Sequence, residues 1–140
     1  MTVFVDTSYF IARMQASDQW HAAAVEADDP TLDLITSNDV VNETITLLRM
    51  RGFLSLALDF LREIRAGSDI HVVYVDAAVQ AEAWDLYARY AGLRASGVDC
   101  TSFAMMRRLG IKKAFTFDQH FRAAGFGIVD VGQDGMLLRR

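Results

Sequence analysis

The sequence predicts an α/β fold on a central parallel sheet of short strands flanked by helices. Three observations carry that reading: short apolar runs recur along the chain, amphipathic helical segments separate them, and capping residues or glycines mark the junctions. At 140 residues, 52% hydrophobic and 23% charged, the chain has the size and composition of one domain spanning 1–140. No apolar run approaches the ~18 residues of a membrane span, and none follows the basic residues of a signal peptide, so no membrane association is expected. A lone Cys100 excludes an internal disulfide and a cysteine metal cluster, and fits a reducing cytoplasm.

Residues 3–5 read as a short buried strand, and Asp6, Thr7 and Ser8 offer the oxygens that cap a helix over 9–14. A helix over 20–27 and a strand over 34–36 follow. Asn38 or Asp39 is placed to cap the next helix, where Val40, Val41, Thr44, Leu47 and Leu48 share one face and Glu43 lies in the first turns. After Gly52, residues Phe53, Leu56, Ala57, Phe60, Leu61 and Ile64 recur at helical spacing, and Gly67 ends that helix. The β-branched residues across 71–75 predict a central strand, and Asp76 caps a helix whose inner face carries Val79, Ala83, Leu86, Tyr87 and Tyr90. Residues 92–97 turn, a helix from about Val98 stops at Gly110, residues 114–117 form a strand ending in Asp118, and residues 128–131 close the pattern.

In open parallel sheets, ligands bind beyond the carboxyl ends of the strands, where strand-to-helix loops and helix N-termini converge. Asp6, Glu43, Asp99 and Asp118 all fall at such positions. Close carboxylates repel unless cations compensate, so a cluster of them favours magnesium or manganese, and the chemistry expected is phosphoryl or phosphodiester cleavage. Capping alone also favours aspartate at helix starts, and Asp76 is read as a cap and nothing more. The net charge of −4, from 14 basic and 18 acidic residues, gives no global footprint of a nucleic-acid binder, but bound metal would invert the local sign at an acid cluster. His21, His71 and His120 lack metal-ligand spacing and are read as structural or surface residues, His120 alone lying near the acids. Ser102 and Cys100 have no base beside them for nucleophilic catalysis.

Four segments taken together resemble the PIN domain over essentially the whole chain. They are Val5, Asp6, Thr7 and Ser8; Ser37 to Glu43 with Leu47 and Leu48 behind; Ser96 to Asp99 with Cys100; and Phe117, Asp118, Gln119, His120 and Phe121. Within that family they look like the VapC-type toxins of prokaryotic toxin–antitoxin pairs. The resemblance implies a cytoplasmic, magnesium- or manganese-dependent endoribonuclease with Asp6, Glu43, Asp99 and Asp118 as catalytic, metal-holding acids. Asp6 and Asp99 would be the first ligands, and Ser8 and Ser96 would support the site. Val98 departs from the pattern, since many relatives carry threonine beside the third acid.

The resemblance also implies a homodimer and a small antitoxin protein, whose basic residue would enter the acidic pocket while its apolar helix face lies on the helix over 53–64 and the one before it. For RNA phosphates, the densest basic cluster is Arg107, Arg108, Lys112 and Lys113, which equally suits a solvated helix end. A haloacid-dehalogenase-like phosphatase would need a second aspartate where Ser8 stands, and a receiver domain would need paired acids near the first strand and a lysine after a late one. The remaining alternative is a PIN-like module that binds RNA or protein without cutting.

Overall fold

Among the described residues, five parallel strands form the sheet: β1 (Thr2–Val5), β2 (Asp33–Ser37), β3 (Ile70–Val73), β4 (Lys113–Phe115) and β5 (Gly127–Ile128), in spatial order β3-β2-β1-β4-β5. The computed structural model describes residues 1–67 and 69–129. Among these, the helices are α1 (Thr7–Met14), α2 (His21–Glu26), α3 (Asn38–Met50), α4 (Leu54–Arg65), α5 (Ala77–Arg89), α6 (Gly97–Leu109) and α7 (His120–Ala123), with a 3-10 turn at Ala91–Leu93. The chain leaves β1 toward β2 on one side and later returns to β4 on the other. The boundary between β1 and β4 is therefore the switch point of the sheet.

Val3, Phe4 and Val5 are fully buried, which is why β1 reads as an unbroken apolar run rather than an alternation. The strand expected over 71–75 is displaced in role: among the described residues β3 pairs only with β2 and is an edge, with His71 exposed. β-branched residues report a fit to a pleated, half-buried surface and say nothing of rank in the strand order. β4 stops at Phe115, whose carbonyl accepts the Asp6 N–H at 3.0 Å, so Thr116 and Phe117 lead to Asp118 outside the strand. The closing strand is Gly127–Ile128, and the part of it expected over 130–131 lies outside the described residues.

The caps of two helices change or sharpen. Ser37, the last residue of β2, caps α3 by accepting the Val40 N–H at 3.1 Å. Neither Asn38 nor Asp39 does so: Asn38 Oδ1 accepts the Val75 N–H at 2.8 Å, and Asp39 Oδ2 accepts the Thr101 hydroxyl at 3.1 Å. With no loop between β2 and α3, the cap has to come from the strand's own last side chain. Asp76 does cap α5, through a 2.9 Å bond from the Val79 N–H. On that helix Val79, Ala83 and Leu86 are buried while Tyr87 is exposed. At ~100° per residue, Val79, Ala83, Leu86 and Tyr90 share an arc of about 60°, and Tyr87 falls about 40° past its edge.

The core centres on α6, where Phe103 meets Phe121, Phe126 and Tyr90 at ring-centroid distances of 5.0, 5.7 and 6.0 Å. Full burial of Phe103 and Phe121 contributes roughly 1.5–3 kcal/mol each, and the half-buried Tyr90 and Phe126 contribute less. α4 splits its apolar residues: Ala57 and Phe60 are buried, whereas Leu54 and Leu58 are exposed, as is Met50 at the end of α3.

Candidate functional site

Just beyond the switch point, the carboxyl end of β1 and the starts of α1, α3, α6 and α7 surround a cleft of about 440 Å³. Asp6, Ser8, Glu43, Ser96, Asp99 and Asp118 all line it, so every acid and both serines expected from the sequence converge there. Asp6 directly follows β1 and caps α1. Its Oδ2 accepts the Thr116 hydroxyl at 2.8 Å, the Ser8 hydroxyl at 3.0 Å and, more loosely, the Ser8 N–H at 3.4 Å. Ser8 Oγ in turn accepts the Phe117 N–H at 2.9 Å, tying the first acid to the loop that carries the fourth.

Asp99 occupies the third position of α6 in a reciprocal capping box. Ser96 Oγ accepts the Asp99 N–H at 3.0 Å, and Asp99 Oδ2 accepts the Ser96 N–H at 2.9 Å. The pair explains the spacing of the two residues locally, and it aims the carboxylate across the cleft mouth. Asp118 Oδ1 accepts the His120 N–H at 2.8 Å, which sets the turn into α7.

The electrostatics run against stability. Burial, with Asp99 adding like charge, raises the Asp6 carboxyl from 3.8 to about 6, despite the hydroxyls of Thr116 and Ser8. Burial also raises Glu43, against a hydrogen bond from Thr7, with Asp6 and Asp118 contributing repulsion. Asp99 is raised by burial first and by Asp118 and Glu43 next, while its Ser96 bond and His120 pull it back. Three acids held above their ordinary values in one cleft amount to a negative potential that only a cation or a proton relieves.

A cation fits the residues present. Ligand atoms of Asp99, Asp118 and His120 lie within 4.8 Å of one another. His120 Nδ1 is 2.8 Å from Asp118 Oδ1 and 3.5 Å from Asp99 Oδ2, yet it is buried without a properly directed hydrogen bond. A ring nitrogen left over between two carboxylates is an arrangement that a bound ion would complete. Among the described residues, the acids that meet this spacing are therefore Asp99 and Asp118, while Asp6 and Glu43 line the same cleft without joining the triplet. Asp6 and Asp99, the first ligands expected from the sequence, both line the cleft, and His120, read there as structural or surface, offers a ring nitrogen beside Asp99 and Asp118. Its position two residues after Asp118 was the one available signal.

The basic cluster is not brought to this cleft. Lys112 and Lys113 stand at the amino end of β4, at the opposite end of the sheet, and Arg108 Nε is paired with Glu82 Oε2 at 3.0 Å. The strand and the C-terminus of α6 point those cations away from the acids. The cations lining the cleft are Arg51, which faces Asp18 at 3.6 Å, and Arg94. Arg94 sits in the left-handed region (φ 57°, ψ 26°), the only non-glycine residue to do so among those described, and no pattern of charge or periodicity announces it. Thr116 and Trp20 were equally silent in the sequence, because each acts through a neighbour distant along the chain.

Comparison with known proteins agrees with this geometry. The family model described as "PIN domain" matches residues 3–127. The 23S rRNA-specific endonuclease VapC20 of Mycobacterium tuberculosis is 40% identical over 126 residues, covering 89% of this chain and 95% of the relative. The crystal structure of M. tuberculosis VapC20, described as a sarcin-ricin loop cleaving toxin, superposes with a TM-score of 0.81 at 38% identity over 89% of this chain and 95% of that one. FitAcB from Neisseria gonorrhoeae matches with a TM-score of 0.64 at 15% identity, over 95% and 99% of the two chains, a likeness of fold alone.

Proposed function

The chain belongs to the PIN domain family, and from that membership we propose that it is a divalent-metal-dependent endoribonuclease, the toxin of a type II toxin–antitoxin pair. The observation that carries the reading is the convergence of Asp6, Glu43, Asp99 and Asp118 in one cleft on a chain 40% identical to a 23S rRNA-specific endonuclease. Asp99, Asp118 and His120 would hold magnesium or manganese, with Asp6 and Glu43 completing the negative wall. When bound, the ion supplies charge neutralisation at the scissile phosphate and activation of water for in-line attack. Ser8 and Thr116 fix the Asp6 carboxylate, and Ser96 fixes Asp99. Glu43, held above its ordinary value by burial, orients the attacking water and accepts its proton. Arg94 and Arg51 meet the RNA backbone at the cleft, a role the sequence reading gave to Arg107, Arg108, Lys112 and Lys113.

The sarcin-ricin stem-loop of 23S rRNA is the first substrate to test, by similarity to VapC20. The enzyme works in the cytoplasm as a homodimer, and its antitoxin lays an apolar helix face on the exposed Leu54, Leu58 and Met50 while a basic side chain enters the acid cleft. No described helix is long and apolar enough to cross a membrane. The test is incubation of purified protein with that stem-loop RNA in magnesium, in manganese and in chelator, beside Asp99→Asn. Fragments that appear only with metal and only with the wild type support the enzyme. Intact RNA in both ions would leave the non-cleaving module as the better reading.

A further inference from the structure

The cleft holds one feature that a site for acids and metal does not require. Trp20, half-buried at the start of α2, lines the cleft, and its indole stacks on Phe117 at a centroid distance of 5.3 Å and an interplanar angle of 5°. Trp20 is positioned at the backbone, where its N–H donates to Asp18 Oδ1 at 2.9 Å. Phe117 is positioned by the 2.9 Å bond from its own N–H to Ser8 Oγ, the same oxygen that donates to Asp6 Oδ2 at 3.0 Å. The aromatic pair is thus linked to the first acid through a single serine and lies one residue from Asp118.

Single-stranded and loop RNA is recognised by stacking unstacked bases on aromatic side chains, and every base offers a face for that. An in-line cut also requires the scissile phosphate to be held in fixed orientation to the attacking oxygen, and a base pinned beside it supplies that hold. The geometry points to Trp20 as the platform on which a base flanking the scissile phosphate stacks, with Phe117 as its rigid backing and Ser8 as the link that keeps platform and acids in register. This rests on the nuclease reading and adds to it a specificity determinant that acts on the base rather than on the phosphate. Packing alone would be served by any large apolar residue at position 20, and that difference is what the experiment reads.

Fluorescence titration of the full chain in calcium, in a Trp84→Phe background that leaves Trp20 as the sole tryptophan, with a stem-loop RNA oligonucleotide should quench the emission. A series of the same RNA with one abasic nucleotide moved along the loop should locate a single position that abolishes the quench. Trp20→Leu, which keeps apolar bulk against Phe117, should weaken RNA binding roughly 5- to 150-fold, the range of one base–aromatic stack, and Trp20→Phe should restore most of it. Unquenched emission on saturable binding, or equal affinity of Trp20→Leu and the wild type, overturns the platform even if the protein cleaves RNA. Quenching with the abasic pattern, in a protein that cuts no RNA with either metal, upholds the platform and removes the nuclease reading instead.

Discussion

The two ends of one sheet carry opposite charge, and for different reasons. At the carboxyl ends of the strands, Asp6, Glu43, Asp99 and Asp118 line a single cleft; at the amino ends, Lys112 and Lys113 flank the start of β4, with Arg107 and Arg108 in the last turn of α6. The basic end needs no function to explain it, since cations at a helix C-terminus suit the macrodipole and Arg108 has Glu82 as partner. The acidic end exceeds what capping asks for. Asp76 shows what a cap alone looks like: one hydrogen bond at the start of α5 and an exposed side chain. Asp6 and Asp99 are 3% and 7% exposed, and both are raised by burial and by neighbouring acids. An arrangement that costs stability and is still present points to chemistry, whereas one that lowers the energy of its own helix does not.

The largest expected effect separates the two ends by activity. Asp99→Asn should cut RNA cleavage by roughly a hundredfold or more, since it removes a charge from the group proposed to hold the metal but keeps an oxygen for the Ser96 N–H. Lys112→Ala and Lys113→Ala should change it less than about twofold. Single-turnover cleavage of the stem-loop RNA measures all three, and a lysine variant as impaired as Asp99→Asn would undo the division.

Next comes pH. Asp6 titrates near 6 in the folded protein against 3.8 ordinarily, so between those values the folded state binds the extra proton. Its contribution to stability is complete below about 3.8 and is lost as pH rises through about 6, a difference of up to about 3 kcal/mol. Glu43 and Asp99 shift in the same direction. In chelator the midpoint of urea unfolding should therefore be higher at pH 5 than at pH 7.5. Asp6→Asn should flatten that dependence, and a profile unchanged by it would show that the buried charge is not the cause.

Metal gives a response of similar size. Manganese at a hundred times its dissociation constant should add ~2.7 kcal/mol and raise the melting temperature. Asp99→Asn should raise the melting temperature in chelator, by relieving repulsion, and gain less from manganese. Lys113→Ala should gain as much as the wild type. Identical metal responses in Asp99→Asn and wild type would take Asp99 out of the metal-binding group.

The smallest effect concerns Arg94, which lines the cleft that the basic cluster does not reach. Arg94→Gly relieves a left-handed backbone while removing a guanidinium from the cleft, so stability should rise by about 1 kcal/mol as RNA affinity falls several-fold. The slope of log affinity against log salt should shrink by about one counterion, a change Lys112→Ala should not produce. A loss of affinity with an unchanged slope would mean that Arg94 shapes the loop and does not touch phosphate.

Much of this was legible in the sequence because it is local. The apolar run before Asp6, the S-x-x-D spacing of Ser96 and Asp99, and Gly110 at the end of α6 are each decided within a few residues, by hydrophobic periodicity and by backbone groups that need partners. Asp6, Glu43 and Asp118 follow strands, so their placement at the carboxyl ends follows from a parallel sheet having only one such end, whereas Asp99 starts a helix that follows another helix and was singled out by the family resemblance. What the sequence could not carry is rank and reach. Residues in β3 look the same whether the strand is central or at an edge, and the Asn38 and Asp39 side chains could have capped α3 until Val75 and Thr101 came within bonding distance.

The sequence by itself determined the α/β class, which is written in hydrophobic period and capping residues, while its resemblance to the PIN family singled out Asp6, Glu43, Asp99 and Asp118 among the 18 acids. Only the tertiary structure decided that His120 joins Asp99 and Asp118, that Thr116 holds Asp6 from 110 positions away, that Trp20 lies on Phe117, and that Arg94 rather than Lys112 faces the acids. Those partners are chosen by where separate strands and helices end in space, and hydrogen bonds, stacking and charge repulsion act over a few ångströms regardless of how much chain lies between.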